Sequence, residues 1–282
     1  MCTLRATDTR ERFSIVECPA CHVLRTLPVP DDLAPFYATD LAGTMYTAGR
    51  AVHARLRRLL LSREARRLAG GDDPDPVLDV GCGDGSFALL LHRHGHRVIA
   101  VDAVPESVAI GGAIPYRAID FERGDIAGLA PGRYTVVLRH VLEHVKHPRV
   151  FLSRLIAQGA RRFYVVLPNS ASLERRLLGT YWYLWDPPRH LWHFHAPSLR
   201  ALCDTLGLRV VAQGYDTIPN LVPSVYRFLR LHGWRPGTYE LFNPRGTLAG
   251  ISAPLNLLLP RNVLWLLAET ASNPPCMRSE ES

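Results

Sequence analysis

Three groups of residues in this chain have types and spacings that could do chemistry. The first is a set of carboxylates around a glycine turn. Asp79 and Asp84 lie in Val77-Leu78-Asp79-Val80-Gly81-Cys82-Gly83-Asp84-Gly85, and Asp102 ends Arg97-Val98-Ile99-Ala100-Val101-Asp102. Acids beside bare backbone suit a ligand that carries positive charge and no phosphate. The second group is His140, Glu143 and His144 in Arg139-His140-Val141-Leu142-Glu143-His144-Val145. The third lies between Tyr181 and His195, where six aromatics other than histidine and the three histidines His190, His193 and His195 fall within fifteen residues. Histidine, with an unperturbed pKa of about 6.5, is the side chain suited to removing a proton near neutrality.

The elements needed to position these groups can be read from the pattern. Val77, Leu78 and Val80 form the short apolar run of a strand covered on both faces. Gly81, Gly83 and Gly85 allow positive φ and close approach of a ligand to backbone. A helix starting at Ser86 then points its free N–H groups back at the turn. A dinucleotide fingerprint requires G-x-G-x-x-G, and here the third glycine comes one residue early. Asp102 follows Asp79 by 102 − 79 = 23 residues, where an acid can take both hydroxyls of a ribose. Strands are expected at 77–80, 97–102, 116–119, 134–139 and 163–167, with helices near 86–94, 105–111 and 148–158. A sixth strand is expected at 208–215 and a seventh at 263–270. Alternating strands and helices of this kind make a doubly wound parallel sheet.

With its glycine turn, downstream acid and His-x-x-Glu-His segment, the chain resembles the class I methyltransferases that use S-adenosylmethionine, from about Val77 to Leu208. The resemblance implies an α/β fold with a Rossmann-like seven-stranded sheet, the seventh strand antiparallel between the fifth and sixth. It implies that Asp79, Gly81, Cys82, Gly83, Gly85 and Asp102 hold the cofactor. Asp125 would meet the adenine amino group, Ile126 would lie against the ring, and His140 would stand beside the methionine part. Residues 181–195 resemble the W…D-x-P-R-H-L-x-H-F stretch of bacterial small-molecule methyltransferases and read as a lid, residues 169–197, over the acceptor. If 190–195 is extended, side chains alternate. His190 then shares a face with Trp192 and Phe194 and ranks first as the general base. His193 ranks second, His195 is structural, and His144 is a further acceptor-side candidate. Glu143 reads as part of a capped turn.

The rest of the chain frames this core. Residues 1–47 form an N-terminal extension in which Phe13 to Cys18 alternates as a short strand. Cys18 to Pro30 resembles one half of a zinc ribbon. The second C-x-x-C is missing, so no metal is expected and the segment reads as a degenerate knuckle packed on the core. Residues 48–217 form the cofactor-binding core, with a long amphipathic helix over 48–69, and residues 218–282 form a helical segment plus the last strand. The final dozen residues read as disordered. The 282 residues are 47% hydrophobic and 21% charged, with a net charge of +7. The arginines from Arg50 to Arg67 sit at helical spacing and read as a solvated helix face.

No signal peptide or membrane span is legible, and the scattered cysteines fit a reducing, cytoplasmic setting. The expected activity is methyl transfer from S-adenosylmethionine to a small-molecule hydroxyl in biosynthesis. An RNA- or tRNA-modifying methyltransferase and a non-catalytic binding subunit are the alternatives. Nucleic acid is disfavoured, because no RNA-binding motif is appended, and a homodimer stays open.

Overall fold

The computed structural model describes residues 2–5, 11–38, 61–68, 75–103, 110–120, 128–130, 132–218, 221–233 and 261–271. Its centre is a seven-stranded sheet. In chain order the strands are β4 (Val77–Val80), β5 (Val98–Asp102), β6 (Tyr116–Ala118), β7 (Tyr134–Arg139), β8 (Ala160–Pro168), β10 (Leu208–Asp216) and β11 (Val263–Thr270). The spatial order is β10-β11-β8-β7-β4-β5-β6. Strands β4 to β8 pair in parallel, and β11 runs antiparallel between β8 and β10. This is the topology expected from the sequence. The helices Ser86–Arg93 and Pro148–Ala157 fall within a few residues of the expected ones, and a further helix covers Ala196–Thr205. The expected helix at 105–111 and most of the 48–69 helix lie outside the described residues, which show helix at 61–68.

The sheet is apolar on both faces because β4 and β7 are buried along their length, or nearly so. On one side Val136, Leu138, Phe163 and Val165 pack with Phe151 and Leu155 of the helix Pro148–Ala157. On the other, Val77, Ala100 and Val137 pack with Phe87 and Leu91 of the helix Ser86–Arg93. Burying a side chain of this size stabilises by about 1.5–3 kcal/mol.

A second, four-stranded sheet has the order β1-β2-β3-β9, from Cys2–Arg5, Arg12–Glu17, Leu24–Leu27 and Trp192–His193. The N-terminal extension is therefore not merely packed on the core; it hydrogen-bonds to the lid. The expected strand from Phe13 is present as β2. Cys18 and Cys21 close the β2–β3 hairpin, where His22 N–H donates to Cys18 O at 2.9 Å, and both cysteines rest half-buried against the main core.

The arginine-rich helix is not simply a solvated face. Arg67 makes two hydrogen bonds to Asp216, at 2.6 and 2.7 Å, and lies over the Trp265 ring. The adjacent buried Glu64 pairs with Arg139 at 2.7 Å. Among the described residues no helix is long and apolar enough to cross a membrane.

Candidate active site

Strands β4 and β5 end side by side, and their carboxyl ends carry the three acids. Gly81, Gly83 and Gly85 all have positive φ, at +67°, +56° and +72°. Two of them have distinct reasons. A Cβ on Gly81 would sit 2.5 Å from Val141 Cγ2, so Gly81 is fixed by packing against the β7 end. A Cβ on Gly83 would meet nothing within 4 Å and would project into open space above the turn. The Gly83 N–H donates to Asp102 Oδ2 at 2.7 Å, holding that carboxylate at the turn. Asp84 accepts from Ser86 N–H at 3.0 Å and starts the helix. The Cys82 side chain is buried in the core, and burial pushes its thiol pKa up, so only its backbone is available to a ligand.

Asp79 is the most telling member of the set. It is 2% exposed and its Oδ2 accepts no hydrogen bond. Burial raises its pKa to about 7; Arg139 opposes the rise, and the charges of Asp102 and Asp84 add to it. A buried carboxylate without a partner is costly. Here it stands among like charges, with Arg139 only partly offsetting them, so a bound cation would relieve it. A ligand with a ribose, a positive sulfonium and an ammonium group fits these residues: Asp102 for the hydroxyls, Asp79 and Asp84 for the positive charge, and Gly83 for close approach. S-adenosylmethionine is such a ligand. Asp125 and Ile126 lie outside the described residues.

The second cluster is assembled from the end of β7 and the lid. His140 follows β7 with φ +55°, and its Nδ1 lies 3.4 Å from Glu143 Oε1. The Glu143 carbonyl accepts from Leu191 N–H at 2.8 Å and Trp192 N–H at 3.1 Å, which fastens this turn to the lid. Glu143 itself is 1% exposed, and neither carboxylate oxygen accepts a hydrogen bond. Burial opposes its ionisation, but the imidazoles of His140, His144 and His190 outweigh this and lower its pKa. His144 Nδ1 donates to Arg189 O at 3.0 Å and lies 3.2 Å from Tyr37 Oη. Burial, then the neighbouring His190, depresses the His144 pKa to about 4, so it is neutral at pH 7. His190 is buried, its Nδ1 donates to Leu184 O at 2.8 Å, and its ring meets that of His144 edge-on at 4.7 Å between centroids. Asp186 Oδ2 lies 3.9 Å from His190 Nε2, while its Oδ1 accepts from Arg189 at 2.7 Å.

The lid differs from the alternating strand expected. Only Trp192–His193 is strand, and Trp192 and Phe194 turn into the main core rather than around His190. His193 is placed elsewhere. Thr26 Oγ1 donates its one proton to His190 O at 2.7 Å, so at 2.9 Å the His193 Nε2–H must donate to Thr26. His193 therefore stands between β3 and the Trp185 ring, whose centroid is 4.8 Å away. His195 caps the helix Ala196–Thr205 through Ser198. Thus His144 and His190 come together with Glu143, and His193 and His195 do not join them. Sequence reasoning missed Thr26 and Tyr37, for which a four-residue strand and a five-residue helix gave little signal.

Comparison with known proteins places this geometry. Residues 52–213 match a family model described as a methyltransferase domain. The chain is 34% identical over 103 residues to a ubiquinone biosynthesis O-methyltransferase of Xanthomonas euvesicatoria pv. vesicatoria, covering 32% of this chain and 42% of that one. It is 32% identical over 125 residues to the enzyme of the same name from Cereibacter sphaeroides, covering 39% and 49%. The chain thus spans about half the length of the curated relatives it matches. Among solved structures, the 1,6-didemethyltoxoflavin-N1-methyltransferase of Burkholderia thailandensis, crystallised with its substrate and S-adenosylhomocysteine, is similar with a TM-score of 0.51 and 19% identity, covering 94% of this chain and 97% of that one. A methyltransferase from Archaeoglobus fulgidus gives 0.54 at 18% identity, covering 82% and 100%. These two likenesses bear on the fold. Since the family model matches more than half of its length, the chain belongs to the methyltransferase-domain family.

Proposed function

We propose that this chain transfers the methyl group of S-adenosylmethionine to a hydroxyl oxygen of a small molecule in a biosynthetic pathway. The observation that carries the cofactor assignment is the buried, unpartnered carboxylate of Asp79 beside Asp84, Asp102 and the open space over Gly83. The names of the O-methyltransferase relatives support oxygen as the methylated atom.

Bound S-adenosylmethionine supplies a methyl group already activated by its sulfonium. The protein's task is then alignment and removal of the acceptor's proton. Asp102 holds the ribose, and Asp79 balances the positive charge at the carboxyl end of β4. Asp125, Ile126 and His140 complete the cofactor side as the family resemblance implies. On the acceptor side, the carbonyl bonds at His190 Nδ1 and His144 Nδ1 leave the Nε2 lone pair of each ring free. One of them would take the acceptor's hydroxyl proton, and the cofactor would supply the methyl group and be left as S-adenosylhomocysteine. His190 is ranked ahead of His144, and His193, which lies apart from both against Thr26 and the Trp185 ring, comes last.

Asp102→Ala is expected to weaken S-adenosylhomocysteine binding by about 1.5–3 kcal/mol, the worth of hydrogen bonds to a charged group. Isothermal calorimetry with unchanged affinity in this variant would overturn the cofactor assignment.

A further inference from the structure

Glu143, His144 and His190 offer one donor atom each, and the three atoms lie within 4.8 Å of one another. Among the described residues this is the only group of three or more His, Cys, Asp or Glu side chains that converges in this way. Convergence alone would say little, but two further features point to a ligand. Both imidazoles are locked in one tautomer. A backbone carbonyl can only accept, so the Leu184 and Arg189 carbonyls require the proton on Nδ1 of His190 and His144, and Nε2 of each ring carries the lone pair. Metal-binding histidines are oriented in this way, by donating the other ring N–H to a carbonyl or carboxylate. The second feature is Glu143. Its carboxylate is buried and faces these rings with its backbone fastened to the lid; its nearest donor is His140 Nδ1, 3.4 Å from Oε1, and neither oxygen accepts a well-formed hydrogen bond. Arg189, the nearby buried cation, is engaged with Asp186 at 2.7 Å.

We infer that Glu143, His144 and His190 bind one divalent transition-metal ion. Two neutral imidazoles and a carboxylate form the donor set of catalytic zinc sites, which keep one position open. Tetrahedral ligation at about 2.0–2.2 Å places donors about 3.4 Å apart, so atoms that lie up to 4.8 Å from one another would draw together on binding. The ion would balance the buried charge of Glu143 and occupy the Nε2 lone pairs of both rings; in the loaded protein its open position would take an oxygen of the acceptor and lower the pKa of the bound hydroxyl, in place of a histidine base. Only that last role rests on the proposed methyl transfer.

The test uses the full chain, free of any affinity tag. Elemental analysis, followed by chelation and calorimetric titration with zinc chloride, should find one high-affinity zinc per chain. Cobalt(II) at the same site should give visible d–d bands. Glu143→Gln and His190→Ala should each lose the stoichiometric site, and Cys18→Ser/Cys21→Ser should retain it. Circular dichroism reports whether each variant folds; if Glu143→Gln does not, His190→Ala and the native cobalt spectrum decide. Absence of a stoichiometric site in the native protein, retention of zinc in both Glu143→Gln and His190→Ala, or its loss in the double cysteine variant would overturn the inference. Native protein that binds S-adenosylhomocysteine but no zinc would refute the metal site and leave the methyltransferase reading standing. Zinc binding without S-adenosylhomocysteine binding would do the reverse.

Discussion

The two halves of the site are made by different means. The cofactor end comes from one contiguous strand, turn and helix, with Asp102 delivered by the neighbouring strand, and its parts lie within a few residues of the sheet's carboxyl edge. The acceptor end comes from three separate segments: the end of β7, the lid, and the N-terminal extension. Thr26 meets His190 across 164 positions of sequence, and Tyr37 meets His144 across 107. Local chemistry builds the first, whereas long-range pairing builds the second. The difference predicts that damage at one end should spare the other.

His190→Ala should produce the largest effect that separates the ends. Removing a general base typically costs about 10²–10⁴-fold in rate, and if His190 instead holds an ion, loss of that ligand should also be felt in turnover. Methyl-transfer assays with a competent acceptor should show that loss in kcat, with the KM for S-adenosylmethionine little changed. Near-native turnover across pH 6 to 9 would remove His190 from the chemistry.

Asp79 gives the cofactor end a pH dependence of its own. Its folded pKa is raised from 3.8 to about 7. The folded state therefore holds a proton that the unfolded state has released between those values. The contribution of this group to stability is present below the unfolded pKa and is lost as pH rises through about 7. A bound cation favours the carboxylate, so S-adenosylmethionine affinity should fall as pH drops below about 7. Asp79→Asn should flatten both dependences, measured by denaturant titration and by calorimetry at several pH values. A pH-independent affinity in the native protein would show that Asp79 does not face the ligand.

The smallest effect concerns the tie between the lid and the second sheet. Thr26→Val leaves His190 O and His193 Nε2–H without their buried partner. The expected cost is about 1–3 kcal/mol, read from chemical denaturation, with S-adenosylhomocysteine affinity unchanged. A stability loss within error would mean that the lid is held by its other contacts, among them the packing of Trp182, Leu184 and Trp185 against Leu4 and Ile15.

The same contrast explains how much could be read in the sequence. Strands β4 and β7 and the glycine turn with its acids were legible because their apolar runs and spacings are local signals, whereas the antiparallel course of β11 was implied by the family resemblance. The histidines of the lid were legible as residues, but their roles were not. Separating His193 from His190 depends on Thr26, and no periodicity links a four-residue strand to a two-residue one far along the chain. The alternation assumed for 190–195 fails because the main core draws in Trp192 and Phe194. Glu143 read as a capping residue because acids in turns commonly are; its orphaned oxygens emerge only when the lid covers it. Arg67 looked solvated for the same reason, its partner being Asp216.

The most direct test of a divided site is a pair of calorimetric titrations with S-adenosylhomocysteine, on Gly83→Val and on His190→Ala. Valine at position 83 would be strained at φ +56° and would fill the open space over the turn. The account predicts no measurable binding by a folded Gly83→Val and native affinity in His190→Ala. Retained binding in the first, or lost binding in the second, would contradict it.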